Sequence, residues 1–383
     1  MAPRLAVRRL LLENFRSYVS AELMTSGRPV VLAGPNGAGK TNVLDAISLL
    51  SPGRGLRGSK LGEHVRKGPQ AAHSAALWTV AATVARGHES YEIGTALAQG
   101  SEGSERRVVH LNGAPVQNST DLAEIVQMTW LTPAMDRVFT DSAGGRRRFL
   151  DRLVLGFDAA HGRNALRYER AMSERLRLLK FGPRDPAWLD GLETEMAESG
   201  VAMSIARAET ISRLNCALAA REEAGVFPTA QLSLVDADGS FTDGGEAEAV
   251  SRLKTSLAQT RMRDAEARRT TIGPHLSDLA VRHTEKRMDA RDCSTGEQKA
   301  LLISIMLADA WELQRDRAGF APLLLLDEVA AHLDARRRAA LFEEILALGA
   351  QAWMTGTDLS LFDAIGERAD IFFVNAGEFA RQA

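Results

Sequence analysis

Apolar residues follow two different periods along the chain, and the order of these periods predicts an α/β protein with a helical insertion. Up to about residue 135, short apolar runs between turn residues predict mostly strands around one helix. These elements are strands over 29–33, 75–84, 91–97 and 107–113 and a helix over 41–50. The last of these strands ends in Asn112-Gly113, a dipeptide typical of a tight turn. We expect a mixed sheet in this part of the chain.

Near Arg146 the pattern changes to long stretches in which apolar residues recur every three or four positions. This spacing predicts two antiparallel helices joined by a turn at 181–186, with Asp185 as the N-cap and Pro186 as the first helical residue of the second. The second helix is expected to end near residue 221. A strand over 230–235 and a helix over 246–268 follow it.

After Gly273-Pro274, strands and helices alternate again to the end of the chain. The predicted elements are strands over 279–283, 322–326, 351–355 and 371–374 and helices over 296–314 and 335–348. We therefore predict three segments: a first part of an α/β head at 1–136, a helical arm at 137–268, and a second part of the head at 269–383.

Composition narrows the class of protein without identifying it. With 45% apolar and 25% charged residues the chain is typical of a soluble globular protein, and its net charge of −2 provides no general attraction to polyanions. A nucleic-acid partner would therefore need a local basic patch. Cys216 and Cys293 lie far apart in sequence and suggest neither a disulfide framework nor a metal cluster, which favours the reducing cytoplasm. The longest apolar runs are too short to span a bilayer, so no membrane association is expected.

One glycine-rich run matches the pattern G-x-x-x-x-G-K-[ST] of a phosphate-binding loop without a mismatch. Its glycines allow backbone N–H groups to approach phosphate oxygens, Lys40 supplies a positive charge, and the Thr41 hydroxyl can bind Mg²⁺. A predicted strand precedes the run and a predicted helix follows it, which is the context of an anion site. The predicted nucleotide contacts are Gly34, Pro35, Asn36, Gly37, Ala38, Gly39, Lys40, Thr41 and Asn42.

An apolar strand much later in the chain ends in two carboxylates, Asp327 and Glu328, as a Walker B strand does. We predict that Asp327 and Thr41 hold Mg²⁺, because this ion prefers oxygen ligands. Glu328 is the candidate base for the attacking water, and Lys40 and Asp327 complete the predicted catalytic set. The cofactors predicted from these residues are ATP and Mg²⁺.

A polar segment at the start of a predicted helix precedes the Walker B strand, with Ser294, Gly296 and Gln298 among its residues. The segment resembles the signature motif of ABC-type ATPases, in which a serine hydroxyl, a glycine amide and the helix N-terminus face the γ-phosphate held by another subunit. The same residues also fit a plain serine N-cap with an acidic first turn. Asp334 follows the Walker B strand at the spacing of the D-loop of these proteins.

Taken together, the motifs resemble the RecF family, bacterial recombination and gap-repair ATPases related to the heads of Rad50 and SMC proteins. The similarity covers about residues 5–377. It is carried by the segments 14–18, 34–42, 53–57, 146–151, 273–275, 294–299 and 355–358. It implies an ABC-type P-loop ATPase head with an inserted antiparallel helical arm, which forms a homodimer in the presence of ATP.

The resemblance also implies what such a protein binds and where. The expected partners are double-stranded and gapped DNA, including junctions between single strand and duplex, together with RecO and RecR in the loading of RecA. The expected activity is a weak DNA-dependent ATPase in the cytoplasm, associated with the nucleoid. Histidine is absent from the switch position, where Thr357 or Asp358 stands, so hydrolysis is expected to be slow. Gln127 is a weak candidate for the Q-loop glutamine.

Basic residues concentrate near the start of the arm. Between residues 137 and 184 there are twelve arginines and lysines against five acidic residues. One explanation of this excess of basic residues is a solvent-exposed helix face with ion pairs between successive turns, such as Glu174 with Arg170. The family resemblance favours DNA contacts instead. The predicted DNA-binding residues are Arg57, Arg146, Arg147 and Arg148.

Two other functions share part of this motif set. A nucleotide-binding subunit of an ABC transporter has the same loop, signature and Walker B strand, but usually a switch histidine and only a short helical lobe. An SMC-like DNA tether would need an arm of hundreds of residues, whereas the predicted arm has about 130.

Overall fold

The structure is a computed structural model that describes residues 5–67, 76–99, 105–116, 122–182, 185–221, 225–235 and 245–382. The chain forms two compact units. The first unit combines Met1–Met135 with Met306–Ala383, and the second is Asp136–Ile305. Among the described residues, no helix has both the length and the apolar character needed to cross a bilayer.

The first unit contains two six-stranded sheets. The strands of the first sheet are β1 (Leu5–Phe15), β2 (Tyr18–Met24), β4 (Ala76–Arg86), β5 (Glu89–Gln99), β6 (Glu105–Leu111) and β7 (Ala114–Pro115). Those of the second are β3 (Val30–Ala33), β8 (Met128–Leu131), β12 (Leu323–Leu326), β13 (Ala352–Gly356), β14 (Asp370–Asn375) and β15 (Glu378–Arg381). The helices are α1 (Lys40–Ser48), α2 (Leu122–Ile125) and α9 (Ala335–Leu348), and α8 (Thr295–Asp316) runs from the second unit into the first.

The two sheets differ in strand direction, and the sequence explains why. The first, in the order β2-β1-β4-β5-β6-β7, is antiparallel, and its strand β4 alternates buried with partly exposed residues because one face covers the core. The second has the order β15-β14-β3-β13-β12-β8, and only β15 runs antiparallel. Three of its inner strands, β3, β12 and β13, are buried along their full length, as expected for parallel strands covered on both faces. The predicted α/β class is confirmed.

An apolar cluster joins the two sheets of the first unit. It takes Leu12 and Val80 from the antiparallel sheet, Leu32 and Leu325 from the parallel one, and Val43 from α1. All of these side chains are at most 2% exposed. The carboxyl ends of β3, β12 and β13 are thereby held in fixed register at one edge of the parallel sheet.

The second unit is mainly helical. Its helices are α3 (Ala143–Phe157), α4 (His161–Phe181), α5 (Pro186–Ala220), α6 (Glu246–Gln259) and α7 (Arg261–Ala267), and its three-stranded sheet has the order β11 (Met288–Asp289), β10 (Asp278–His283), β9 (Ala230–Val235). The predicted cap is confirmed, since the Asp185 carboxylate accepts a hydrogen bond from the Ala187 N–H and Pro186 begins α5. Residues 183–184 of the predicted turn lie outside the described residues.

Ion pairs show that α4 and α5 run antiparallel, as predicted. Arg167 on α4 pairs with Glu195 and Glu198 on α5, whereas Arg175, further along α4, pairs with Glu193, which comes earlier on α5. The contact position therefore moves backwards on one helix as it moves forwards on the other.

The predicted helix over 246–268 is divided at Thr260, where α6 ends and α7 begins. The Thr260 hydroxyl donates to the Leu257 carbonyl and to the Asp264 carboxylate, and its own N–H bonds back to Ser256. Such side-chain bonds compete with the regular helix pattern. The prediction of one continuous helix was wrong at this residue.

The compact units differ from the predicted segments at the second boundary. Strand β9 of the predicted arm pairs with β10, which lies beyond residue 268, so their small sheet belongs to one unit that continues to Ile305. The division into 1–136, 137–268 and 269–383 stays a prediction about domains.

A buried ionic cluster holds the helices of the second unit together and predicts a stability effect. Arg175 is completely buried and donates to Glu193 at 2.9 Å, to Asp264 at 2.7 Å and to the Leu257 carbonyl at 2.7 Å. Removing one partner of such a cluster leaves buried charge without compensation, at a cost of about 3–5 kcal/mol. We expect Arg175→Ala to destabilise this unit by about that amount in urea unfolding.

The exposed Arg170 on the same helix provides the matched control, because Arg170→Ala should stay within about 0.5 kcal/mol of the wild type. Equal stability of the Arg175→Ala and Arg170→Ala proteins would contradict a structural role for Arg175. The burial of Arg175 also removes it from the basic residues of the arm that could meet DNA.

Candidate nucleotide site

The glycine-rich loop connects β3 to α1, and two of its glycines are required by close contacts. Gly34 has φ +151°, and a Cβ there would lie 2.2 Å from the Val374 carbonyl oxygen. Gly39 has φ +111°, and a Cβ would lie 2.7 Å from the Tyr18 hydroxyl oxygen. Pro35, Asn36 and Gly37, between them, are exposed, so the outer part of the loop is open to an anion.

Lys40 is the first residue of α1, and its ammonium group lies inside the loop. Its Nζ donates to the carbonyl of Gly34 at 2.6 Å and to that of Pro35 at 2.8 Å, and the residue is only 5% exposed. Burial lowers the pKa of Lys40, while Glu328 and Asp327 act in the opposite direction. The positive charge is thus held at the loop, next to both carboxylates.

The loop and the Walker B strand meet through Thr41 and Asp327. The Thr41 hydroxyl donates to Asp327 Oδ1 at 2.8 Å, across 286 residues of sequence. Asp327 is buried at the end of β12, and Glu328, the next residue, is partly buried with a left-handed φ of +52°. The structure therefore brings together Lys40, Thr41, Asp327 and Glu328 at the carboxyl edge of the parallel sheet.

The donor set of this cluster fits Mg²⁺. A hydroxyl and a carboxylate oxygen stand side by side, and both are the hard oxygen ligands that this ion takes, usually with one or two protein carboxylates and the oxygens of a phosphate substrate. Within the described ranges no group of three or more histidine, cysteine, aspartate or glutamate residues could hold a metal by itself. Thr41 and Asp327 are the residues that would hold the ion here.

The signature segment begins α8 in the second unit. Ser294 and Gly296 are exposed, and a Cβ at Gly296 would meet no neighbouring atom. Ser294 is bonded to Glu297, whose carboxylate accepts from the serine N–H at 3.0 Å, as in one half of a capping box, and from its hydroxyl at 2.8 Å. A salt bridge from Lys286, with these two hydrogen bonds, lowers the pKa of Glu297 to about 2. The segment is accessible, and its serine already has an internal partner.

Two further predicted nucleotide residues have structural partners of their own. Gln298 is buried, and its amide donates to the carbonyls of Cys293 at 2.9 Å and Arg291 at 3.2 Å, which shapes the loop before the signature helix. Asp334 caps α9 by accepting from the Arg337 N–H at 2.8 Å. Their contacts with a nucleotide stay predictions.

The weak Q-loop candidate Gln127 lies at the wrong end of the sheet. It precedes β8, which runs parallel to β12, so the four residues of β8 lie between it and the level of Asp327, a separation of five residue steps or ~16 Å. The residue that follows the carboxyl end of β8 is Thr132 instead. Thr357 and Asp358, at the predicted switch position, are both exposed beyond the end of β13.

The predicted DNA-binding arginines divide into two kinds. Arg146 forms a two-point ion pair with Asp278, at 2.7 and 2.6 Å, and Arg147 donates to the Ser277 carbonyl at 2.7 Å. These two side chains tie α3 to the start of β10. Arg57 and Arg148 are exposed. Of the four arginines, these two are exposed to solvent, and their contacts with DNA stay predictions.

Two residues that matter for the site were missed from the sequence. Tyr18 is buried, its hydroxyl donates to the Gly39 carbonyl at 3.0 Å, and burial raises its pKa. Thr355, at the end of β13, contacts both Walker B residues. Both lie in segments that carry the family resemblance, 14–18 and 355–358, and this was the signal that could have pointed to them.

Comparison of the sequence with known proteins finds it similar to proteins named RecF. The family model described as RecF/RecN/SMC N terminal domain matches residues 6–378. A protein of Agrobacterium fabrum (strain C58) named DNA replication and repair protein RecF is 47% identical over 377 residues, which cover 98% of this chain and 99% of the relative. A protein of the same name from Rhizobium etli (strain CIAT 652) is 46% identical over 379 residues, with 99% of each chain covered.

Solved structures support the same fold. The chain is similar to a structure of the recombination mediator protein RecF-ATP in the RecFOR pathway, with a TM-score of 0.84, 23% identity, and coverage of 100% of this chain and 99% of the other. An Smc head domain from Pyrococcus furiosus gives a TM-score of 0.55 at 15% identity, covering 99% and 96% of the two chains. At these identities the likeness concerns the fold alone.

Proposed function

The chain belongs to the RecF family, within the wider RecF/RecN/SMC N terminal domain family, and on this premise we propose that it is an ATP-dependent DNA-binding protein of recombinational and gap repair. The observation that carries the proposal is the hydrogen bond between Thr41 and Asp327, beside a loop whose carbonyls bind the Lys40 ammonium, because residue types suited to phosphate and to Mg²⁺ are then close together. We expect the protein to be located in the cytoplasm, associated with the nucleoid.

The residues of the cluster have distinct roles in this proposal. Lys40 exchanges the loop carbonyls for the β- and γ-phosphates of ATP, and the loop N–H groups bind the same oxygens. Thr41 and Asp327 hold Mg²⁺, which neutralises the charge that develops on the phosphate oxygens. Glu328 orients the attacking water and accepts its proton, a role that requires a carboxylate within ~3 Å of it.

The signature segment is proposed to complete the site of a second copy of the chain. Exposure of Ser294 and Gly296 at a helix start supports this, because the helix N-terminus and a hydroxyl can then face a γ-phosphate held by another subunit. Ser294 would exchange its bond to Glu297 for one to that phosphate. Loss of the γ-phosphate removes charge-assisted hydrogen bonds, each roughly twice as strong as a neutral one, so hydrolysis should loosen the dimer.

DNA binding is proposed to depend on local positive charge, since the whole chain carries a net charge of −2. Arg57 and Arg148 are the candidate contacts, and α4 adds the exposed Arg163 and Arg170. Contacts of this kind position the protein on the phosphate backbone and carry no sequence information directly. We therefore expect binding to duplex and gapped DNA without marked sequence preference, in a pathway shared with RecO and RecR that loads RecA.

We expect Arg148→Ala to weaken DNA binding and to flatten its salt dependence. With about six phosphate contacts the log–log salt slope is near −5, and removing one contact should change it by about 0.9. The measurement is fluorescence anisotropy with duplex, single-stranded and gapped DNA, with and without ATP, over a salt series. Arg106→Ala, at an exposed arginine of the antiparallel sheet, is the control.

Two outcomes would contradict this reading of the arginines. An Arg148→Ala protein with the wild-type slope would exclude Arg148 as a phosphate contact. A wild-type protein that binds none of these DNAs in ATP would contradict the proposed function itself. The transporter subunit and the SMC-like tether are not retained, because the relatives that match the full length of the chain are RecF proteins.

A further inference from the structure

The hydroxyl of Thr355 lies at the centre of the catalytic edge of the sheet. Thr355 is near the end of β13, between β3 and β12, and is 1% exposed. Its Oγ1 donates to Asp327 Oδ1 at 2.8 Å and accepts from the Glu328 N–H at 2.8 Å. One side-chain oxygen therefore contacts both consecutive Walker B residues, from a strand that belongs to neither the loop nor the Walker B motif.

The bond to Glu328 coincides with an unusual backbone conformation. Glu328 has φ +52°, in the left-handed region that residues other than glycine, asparagine and aspartate seldom adopt. Such a conformation persists where surrounding contacts hold it, and it is common at functional sites. The Thr355 hydroxyl is one such contact. The direction of the Glu328 side chain follows from this backbone turn.

The bond to Asp327 links the same hydroxyl to the glycine loop. Asp327 Oδ1 also accepts from the Thr41 hydroxyl at 2.8 Å, so a continuous path runs from the Glu328 N–H through Thr355 and Asp327 to Thr41. The bonds from the Glu328 N–H to Thr355 and from the Thr355 hydroxyl to Asp327 run in the same direction, so they polarise and strengthen one another in a buried setting. A shift of the Asp327 carboxylate, the proposed metal ligand, would therefore displace the backbone of Glu328, the proposed base.

We propose that Thr355 is a positioning residue for ATP hydrolysis, whose hydroxyl sets the geometry of Asp327 and Glu328 together. The inference rests on the proposed ATPase function, and it deepens that function by adding a residue that acts through Asp327 and Glu328. Valine has nearly the shape of threonine but cannot form either bond, so it leaves the Glu328 N–H without this acceptor. Serine keeps the hydroxyl and loses only the methyl group.

The test compares Thr355→Val and Thr355→Ser with the wild type, using Thr129→Val as the control at another buried threonine of the same sheet. Three quantities are measured: equilibrium binding of a fluorescent ATP analogue with Mg²⁺, the single-turnover rate of ATP hydrolysis, and hydrogen exchange of the peptide containing Glu328 without nucleotide. Exchange needs no activity and reports directly on the Glu328 N–H.

For Thr355→Val we expect binding within about threefold of the wild type and hydrolysis slower by about 100-fold, because a small displacement of a catalytic group has that effect. The Glu328 amide should exchange faster. Thr355→Ser should recover most of the rate and the protection, and Thr129→Val should resemble the wild type. This separation of binding from rate is not expected of a residue that only fills the core.

A Thr355→Val protein that hydrolyses ATP at the wild-type rate, or whose rate falls only in proportion to its binding, overturns the inference while leaving the proposed function in place. A wild-type protein that binds no ATP overturns both. Should the valine variant fail to fold, Thr355→Ser and Thr355→Ala make the same comparison, since they differ only in the hydroxyl.

Discussion

Replacing Lys40 with alanine is expected to abolish ATP binding and, with it, the ATP-dependent dimer. The ammonium group makes two hydrogen bonds to loop carbonyls and is the positive charge inside the loop. Hydrogen bonds to charged groups contribute about 1.5–3 kcal/mol each, so losing two phosphate bonds should weaken binding by more than about 100-fold. Calorimetric titration with ATP and Mg²⁺ measures the affinity, and sedimentation with and without ATP measures the dimer.

Lys60→Ala removes an exposed lysine of the same unit and serves as the control, with affinity expected to match the wild type. Thermal unfolding without nucleotide verifies that Lys40→Ala is folded, because the variant also leaves the carbonyls of Gly34 and Pro35 without this donor. A folded Lys40→Ala protein that binds ATP normally would contradict the assignment of the loop.

Elements with a complete local signal could be predicted to within a residue or two. Helix α9 was predicted over 335–348 and has those bounds, since Asp334 caps its start and Gly349, with a left-handed φ, ends it. Helix α5 was predicted to run from Pro186 to about 221 and ends at Ala220. In both helices the residues that start the helix are neighbours in sequence, so no tertiary contact was needed to find them.

Elements that depend on distant pairing were missed. Strand β8 is four residues long and exists because it pairs with β12, almost 200 residues later. Strand β15 similarly forms an edge next to β14. The first two turns of helix α3 contain two glycines and three arginines, a weak helical pattern, and Arg146 and Arg147 bind the helix to the start of β10. Local periodicity contains no information about such partners.

The candidate site likewise contains some residues with a local sequence signal and others whose roles depend on distant partners. The loop and the Walker B carboxylates were recognisable because their residue types and spacing are local, and the structure places them within hydrogen-bond reach of each other. The roles of the arginines could not be recognised in the same way. The charge pattern of one helix does not reveal that Arg175 pairs with Glu193 and Asp264 on other helices. Glu174, predicted as a partner of Arg170, pairs with Arg177 instead. Thr355 belongs to the same group, since only the fold brings it to Glu328.

Replacing Glu328 with glutamine is the counterpart of the Lys40 experiment, because it should separate ATP binding from hydrolysis. Glutamine keeps the size of the side chain but has no basic oxygen, so hydrolysis should fall by about 10²–10⁴-fold, the usual contribution of a general base. Lys40, Thr41 and Asp327 remain in place, and we expect ATP affinity to be unchanged. Since the γ-phosphate then persists, the dimer should accumulate in ATP and dissociate more slowly than that of the wild type.

Sedimentation in ATP, together with single-turnover hydrolysis, measures both effects. Glu266→Gln, at an exposed carboxylate of α7, is the control that should hydrolyse ATP and dissociate normally. A Glu328→Gln protein that stays monomeric in ATP would contradict the proposal that the triphosphate joins two copies of the chain. A variant that dimerises yet still hydrolyses ATP at the wild-type rate would contradict the assignment of Glu328 as the base, because hydrolysis would then proceed without its carboxylate.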